Sequence, residues 1–182
     1  MFTKKRFLGV LTSAVVIAAM ATAPAGASIN LAITAGTLNF DGGAPTIGNF
    51  SGVTLNGTPQ LTSLSITPFT VVDATGSGDG WNVLLTIPDL TDVALDTIAS
   101  TNITMTAPVV TAAATSSMTG VAGAAITNGS GLATGDKIVA ATVGNGEGTY
   151  LVAPRILKLT IPVTTLAGTY TSAATIATVD GP

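Results

Sequence analysis

The sequence contains no cysteine and no histidine among its 182 residues. Without cysteine no disulfide can form, so a hydrophobic core alone must stabilise the fold. The same two absences exclude histidine-based zinc sites, Ser-His-Asp and Cys-His catalysis, and thiol chemistry. Because few enzyme designs remain, we expect a protein that is not an enzyme and that uses no cofactor or metal.

Charged residues are also scarce, at 8% of the chain, and the basic ones are distributed unevenly. The basic residues 4–6 precede an apolar run over residues 7–21 and the small-residue site Ala25-Gly26-Ala27. This pattern is typical of a secretory signal peptide, and the apolar run is shorter than the roughly 20 residues of a membrane-spanning helix. We predict a signal peptide over residues 1–27, in preference to an uncleaved anchor, and a secreted domain over residues 28–182.

Residues 28–182 keep all nine acidic residues but only three basic ones, Lys137, Arg155 and Lys158, which gives a net charge of −6. A negative surface repels nucleic-acid phosphates, anionic wall polymers and lipid headgroups. We therefore expect no nucleic-acid partner and no membrane span in the mature chain. Neutral hydrogen bonds, stacking, apolar contact or a bridging cation must hold any partner.

Short segments of alternating apolar and polar residues fill the mature sequence, and the clearest are residues 81–87 and 156–163. The Gly, Asn and Pro residues between them are typical of turns, and no amphipathic helix pattern competes. We predict an all-β fold, an antiparallel β-sandwich of the immunoglobulin-like type with short strands and long loops.

Local patterns add several expectations about individual segments. They are strand character over 30–40 broken near Gly36, a hairpin turn at Asn56-Gly57, an edge strand or bulge at Pro68 within 61–72, a short helical turn within 89–100, one strand over 103–110, a surface loop with one weak strand over 111–134, and a last strand over 170–179.

Two groups of aspartates are candidate sites. Asp89, Asp92 and Asp96 supply carboxylates that suit calcium, but their spacing fits no EF-hand loop, and a solvated face or helix start is the simpler interpretation. Asp73 and Asp79 bracket a Gly-rich turn. Paired carboxylates can perform glycosidase chemistry, whereas aspartate is also a common turn former. We favour the structural interpretation for both groups.

The only tryptophan begins a strand directly after the turn DATGSGDG. Trp81 alternates with Val83, Leu85 and Ile87, which places all four side chains on one face of a sheet. One interpretation is a buried core residue, and the other is a stacking surface for a sugar ring with Asn82 as a neighbouring polar group. We favour the core, although a buried ring can still shape an adjacent binding face.

The segment TPFTVVDATGSGDGWNVLLT resembles the first signature of the WxL domain of Gram-positive surface proteins. The triplet here is Trp81-Asn82-Val83, with valine in the place of leucine. Segments 56–60 and 146–150 also resemble parts of this family.

The end of the chain resembles the second family signature. Tyr170 and Pro182 have the spacing of that signature, and Ile176 stands where the family often has tryptophan. The resemblance therefore spans nearly all of residues 28–182.

The resemblance implies a surface protein that attaches non-covalently to the cell wall, with peptidoglycan or another wall glycan as ligand and other surface proteins as further partners. The absence of a visible sorting motif or apolar C-terminal tail agrees with this expectation. It also implies ligand-binding roles for Trp81, Asn82, Val83, Tyr170 and Ile176. The alternative is a self-assembling structural subunit of a surface fibre or layer, because the chain is rich in Thr, Ala and Gly.

Overall fold

The computed structural model describes residues 31–181, so the expected signal peptide over residues 1–27 lies outside the described part. Residues 31–181 form short β-strands and a single 3₁₀ turn, Ser100–Asn102, and all paired strands are antiparallel. The predicted all-β antiparallel sandwich with short strands is confirmed.

The strands, in chain order, are β1 Leu38–Asp41, β2 Gln60–Ile66, β3 Phe69–Asp73, β4 Trp81–Thr86, β5 Leu90–Thr91, β6 Thr97–Ile98, β7 Ile103–Met105, β8 Val110–Ala112, β9 Val121–Gly123, β10 Asp136–Ala141, β11 Gly148–Val152, β12 Arg155–Ile161 and β13 Thr175–Asp180. They form sheets in the orders β1-β3-β11-β8, β13-β4-β10-β9 and β2-β12-β7, with β5 and β6 as a separate hairpin.

Two of these sheets are halves of one bent ribbon. The strands β2, β12 and β7 continue beyond a corner as β3, β11 and β8, and the pairing register is the same on both sides. Each connection contains a proline: Pro68, Pro154 or Pro108. Proline has no N–H to donate, so the ladder is interrupted there. The segment 61–72, for which we predicted an edge strand or a bulge at Pro68, and the strand predicted over 103–110 are therefore each divided between two sheets.

The strand β4 lies between β13 and β10 in the remaining sheet. Trp81, Val83 and Leu85 have no exposed surface, and Ile87, just beyond the strand, is also buried. The predicted alternation is confirmed, since these four residues join the hydrophobic core.

Residues 89–100 form a β-hairpin, and the expected helical turn is wrong. The Asp92 Oδ1 atom accepts hydrogen bonds from the backbone N–H groups of Ala94 and Asp96, each at 2.9 Å. An aspartate that bonds its own following backbone in this way competes with helix formation. The acidic pattern that suggested a helix start therefore builds the tip of the hairpin.

Residues 53–57 form no hairpin strand either. The Asn56 side chain instead accepts hydrogen bonds from the backbone N–H of Thr58, at 3.1 Å, and from its hydroxyl. In residues 31–40 the only strand is β1, and Leu31 and Ile33 are exposed.

Two later segments also differ from expectation. Residues 111–134 contain β9 and three buried side chains, Val121, Ile126 and Leu132, so this segment is more than a surface loop. The last strand begins only at Thr175, because the preceding Thr171 pairs with Thr91 of the hairpin instead.

Candidate functional site

Trp81 lies within the protein interior and has no exposed surface. Its Nε1 atom donates a hydrogen bond to the carbonyl oxygen of Gly146 at 2.9 Å. The Trp81 and Tyr150 ring centroids are 5.6 Å apart, with the planes tilted by 55°. The core interpretation of Trp81 is thus confirmed, and its ring presents no face on which a sugar could stack.

Two glycines allow backbone to pack against this tryptophan. A Cβ atom on Gly146, where φ is +95°, would lie 2.6 Å from the Trp81 Nε1 atom. A Cβ atom on Gly80, where φ is +74°, would lie 2.5 Å from the Ala141 carbonyl oxygen. The two Gly-rich turns therefore serve close packing around Trp81, since a larger residue would meet both steric overlap and an unfavourable backbone conformation.

Asn82 and Val83 are buried beside Trp81 on the same strand. The Asn82 Nδ2 atom donates to the carbonyl oxygen of Gly181, while its Oδ1 atom has no partner within residues 31–181. Ile176 on β13 pairs with Leu85 of β4 and is partly buried against the core. Four of the five predicted ligand-binding residues thus meet along β4 and β13, largely inside the protein.

Tyr170 is separate from those four residues and lies in the wall of three cavities. The cavities have volumes of about 560, 520 and 360 Å³ and share several wall residues. We call them together the Tyr170 groove. One wall is formed by residues 47–55 and another by residues 164–172. The floor contains Leu64, Leu90, Ile98, Leu159 and Ile161.

The first wall is fixed along the edge of β2. The backbone N–H of Gly48 donates to the Ser65 carbonyl oxygen at 2.8 Å, and the Thr62 hydroxyl donates to the Ser51 carbonyl oxygen at 2.6 Å. Phe50, between these two points, packs partly against the core. Phe50 therefore lines the two larger cavities of the groove.

Hydrogen bonds to the hairpin and to its own loop fix the position of Tyr170. Thr171 exchanges two backbone hydrogen bonds with Thr91, each 2.9 Å long. The Tyr170 hydroxyl donates to the Leu166 carbonyl oxygen at 3.1 Å. Desolvation, and then the carboxylates of Asp92 and Asp96, raise the pKa of this hydroxyl above its ordinary value.

The groove is lined mainly by uncharged groups. No charged residue lines either of the two larger cavities, and Asp96 is the only one that lines the third. Two aromatic residues and several small polar ones provide the chemistry: Phe50, Tyr170, Asn49, Ser51, Thr54, Thr165 and Thr169. An apolar pocket with a few convergent polar groups is the usual form of a small-ligand site.

Three of the five aspartates considered for a metal site or a catalytic pair, Asp73, Asp89 and Asp92, accept hydrogen bonds within turns. The Asp89 Oδ1 atom accepts from the Ser100 backbone N–H at 2.7 Å and from the Ser100 hydroxyl at 2.9 Å, which lowers the pKa of Asp89. Asp73 accepts from the Thr75 backbone and hydroxyl. Across residues 31–181, no three acidic side chains are grouped in a way that could hold a metal ion.

The sequence reasoning missed the first wall of the groove, because residues 41–52 have no periodic pattern. The one available signal was Phe50, a large aromatic residue within a Gly, Pro and Asn segment. Such a residue must pack against another element or remain exposed, and here it packs partly against the core and lines the same cavity as Tyr170.

Comparison with known protein families, curated proteins and solved structures found no match to this chain. Residues 31–181 include no helix with the length and hydropathy that spanning a bilayer requires. The chemistry of the groove therefore carries the functional argument.

Proposed function

We propose that this chain is a secreted, non-enzymatic surface protein that attaches to the bacterial cell wall by binding glycan, above all peptidoglycan, in the Tyr170 groove. The observation that carries the proposal is the meeting of three cavities at one half-buried tyrosine, with Phe50 nearby. Aromatic faces pack against the apolar faces of sugar rings, while hydroxyl and amide groups bond their edges.

The net charge of the protein and the uncharged walls of the two larger cavities favour a ligand that is uncharged where it binds. A net charge of −6 over residues 28–182 disfavours phosphate-rich wall polymers, whereas the two larger cavities have uncharged walls. The resemblance to WxL domains supports the same function, and we propose that the chain is a divergent relative of that family. Within this proposal Tyr170 contacts the glycan, whereas Trp81, Asn82, Val83 and Ile176, none of which lines the three cavities, have a structural role in the β4–β13 pair.

Co-sedimentation with purified peptidoglycan tests this function. We expect the secreted protein to sediment with intact peptidoglycan and to be released by soluble peptidoglycan fragments. Tyr170→Ala should abolish sedimentation, whereas the control Leu151→Ala, which truncates a half-exposed residue of β11 outside the groove, should not. Equal sedimentation of both variants with wild type would contradict the assignment of the groove.

A second candidate function, self-association into a fibre or layer, is favoured by the tip of the β5–β6 hairpin. Val93 is fully exposed and Leu95 is 83% exposed. Leu95 is also the only non-glycine residue in the described part of the chain with a positive φ, +69°. Leucine in this strained conformation, held out into solvent, has no role in the packing of its own chain and suits contact with another protein.

Sedimentation velocity over a range of concentrations tests this second candidate. Assembly through the hairpin tip should disappear in the Leu95→Asn variant, because asparagine tolerates a positive φ and removes the apolar contact. Wild-type protein that remains monomeric at high concentration would exclude self-association.

A further inference from the structure

The charged side chains at the Tyr170 groove, Asp92 and Asp96, both lie at one end of it. Asp96 lines the third cavity, and the carboxylates of Asp92 and Asp96 are both close enough to raise the pKa of the Tyr170 hydroxyl. None of the three cavities is lined by Lys or Arg. This end of the groove therefore has a negative potential without a compensating basic group.

The two carboxylates are held in place by the fold. Asp92 Oδ1 bonds two backbone N–H groups of the hairpin tip, which leaves its other oxygen directed toward the loop that carries Tyr170. A Cβ atom on Gly168 would lie 2.7 Å from that second oxygen, Oδ2. Glycine at this position thus lets the groove wall approach the carboxylate closely, and the negative group stays beside the tyrosine.

We propose that the groove prefers glycans that carry free amino groups, that is glucosamine rather than N-acetylglucosamine units; this inference rests on the proposed function. The ammonium group of a glucosamine unit would pair with Asp96 and Asp92 and lie near the Tyr170 ring, where a cation is also attracted to the aromatic face. The neutral sugar units on either side would occupy the two uncharged cavities.

Partly exposed charge pairs and cation–π contacts are each modest, so the expected preference is roughly 5–10-fold in affinity. A phosphate or carboxylate group placed at this end of the groove would be repelled by the same aspartates. The complementarity of charge therefore selects a cationic glycan among the polymers of a cell wall.

Calorimetric titration with two oligosaccharides of equal length, one of glucosamine and one of N-acetylglucosamine, tests the inference. We expect tighter binding of the glucosamine form at low salt, and we expect added salt to reduce the difference. Asp96→Asn should remove most of the preference, chiefly by weakening the binding of the glucosamine form. Asp79→Asn, which alters an exposed aspartate outside the groove, should leave the preference intact.

The remaining outcomes separate this inference from the proposed function. Equal affinity for the two oligosaccharides, or a preference that persists in Asp96→Asn, would overturn the selection for amines and leave glycan binding in place. Binding of neither oligosaccharide, together with no effect of Tyr170→Ala on peptidoglycan sedimentation, would reject the groove as the glycan site and this inference with it.

Discussion

Trp81 and Tyr170 carry the two halves of the family resemblance, yet they lie in opposite surroundings. Trp81 is completely buried, its indole N–H is bonded to Gly146, and glycine turns close over it. Tyr170 is only partly buried and lines three open cavities. The only tryptophan of the sequence therefore lies in the core, whereas Tyr170, which the sequence marks less clearly, lies at a surface groove lined by aromatic and small polar residues.

The largest expected effect is the loss of the buried ring. Trp81→Ala should lower the free energy of unfolding by about 3–5 kcal/mol, the range for truncating a buried aromatic residue. This is a large part of the roughly 5–15 kcal/mol that stabilises a domain of this kind. Chemical denaturation monitored by circular dichroism measures the change. A variant as stable as wild type would show that the Trp81 ring contributes little to the stability of the core, and the contrast with Tyr170 would then be wrong.

The glycines around Trp81 provide a second test with a matched control. Gly146→Ala should destabilise the protein by about 2–4 kcal/mol, because a positive φ is combined with overlap against the indole ring. Gly144 has a similar φ, +77°, but a Cβ atom there would have no neighbour within 4 Å, so Gly144→Ala should cost only about 1–2 kcal/mol. Equal losses in the two variants would show that close packing against Trp81 is unimportant.

The packing partner of Trp81 should give the protein a sensitivity to alkaline pH. Desolvation, followed by the charges of Asp73 and Glu147, raises the pKa of Tyr150. The unfolded chain therefore loses this proton first, and the associated stability is present below about pH 10 and is lost as pH rises through the folded-state pKa.

Tyr150→Phe tests that expectation. The variant lacks the hydrogen bonds of the Tyr150 hydroxyl, so its free energy of unfolding should be lower by about 1 kcal/mol at neutral pH. Above about pH 10 its melting temperature should fall less steeply than that of wild type. Leu151→Ala is the control, since it changes a half-exposed residue of the same strand without removing a titrating group. A Tyr150→Phe variant whose melting temperature falls above about pH 10 as steeply as that of wild type would contradict the expectation.

The smallest expected effect concerns the base of the hairpin beside the groove. Hydrogen bonds from Ser100 lower the pKa of Asp89, so its stabilising contribution is present above the unfolded-state pKa of about 3.9 and is lost as pH falls through the lower folded-state value. Asp89→Asn should weaken the acid dependence of the melting temperature slightly, with Asp79→Asn as control. If the melting temperature of Asp89→Asn fell at acid pH as steeply as that of wild type, the hydrogen bonds between Asp89 and Ser100 would not contribute to stability.

The sequence predicted the buried region better than the groove for a physical reason. The alternation of Trp81, Val83 and Leu85 is a local pattern that follows directly from strand geometry. The all-β class followed from many such segments together. The groove instead brings together residues 47–55, the β5–β6 hairpin, the end of β12 and residues 164–172. No local period encodes that meeting, because it depends on long-range pairing.

Local hydrogen bonding explains most of the incorrect segments. The Asp92 side chain built a hairpin tip where apolar spacing suggested a helical turn. Pro68, Pro108 and Pro154 divide strands between two sheets, whereas an interruption was predicted only at Pro68. Only the pairing of all three strands revealed that the prolines mark one corner.

Peptidoglycan sedimentation and thermal unfolding of the same Tyr170→Ala protein give the sharpest test of the claim that glycan binds in the Tyr170 groove. We expect a melting temperature within a few degrees of wild type, because the ring is only partly buried, together with loss of sedimentation. Full sedimentation by a stably folded Tyr170→Ala protein would contradict the claim and place the glycan site outside the Tyr170 groove.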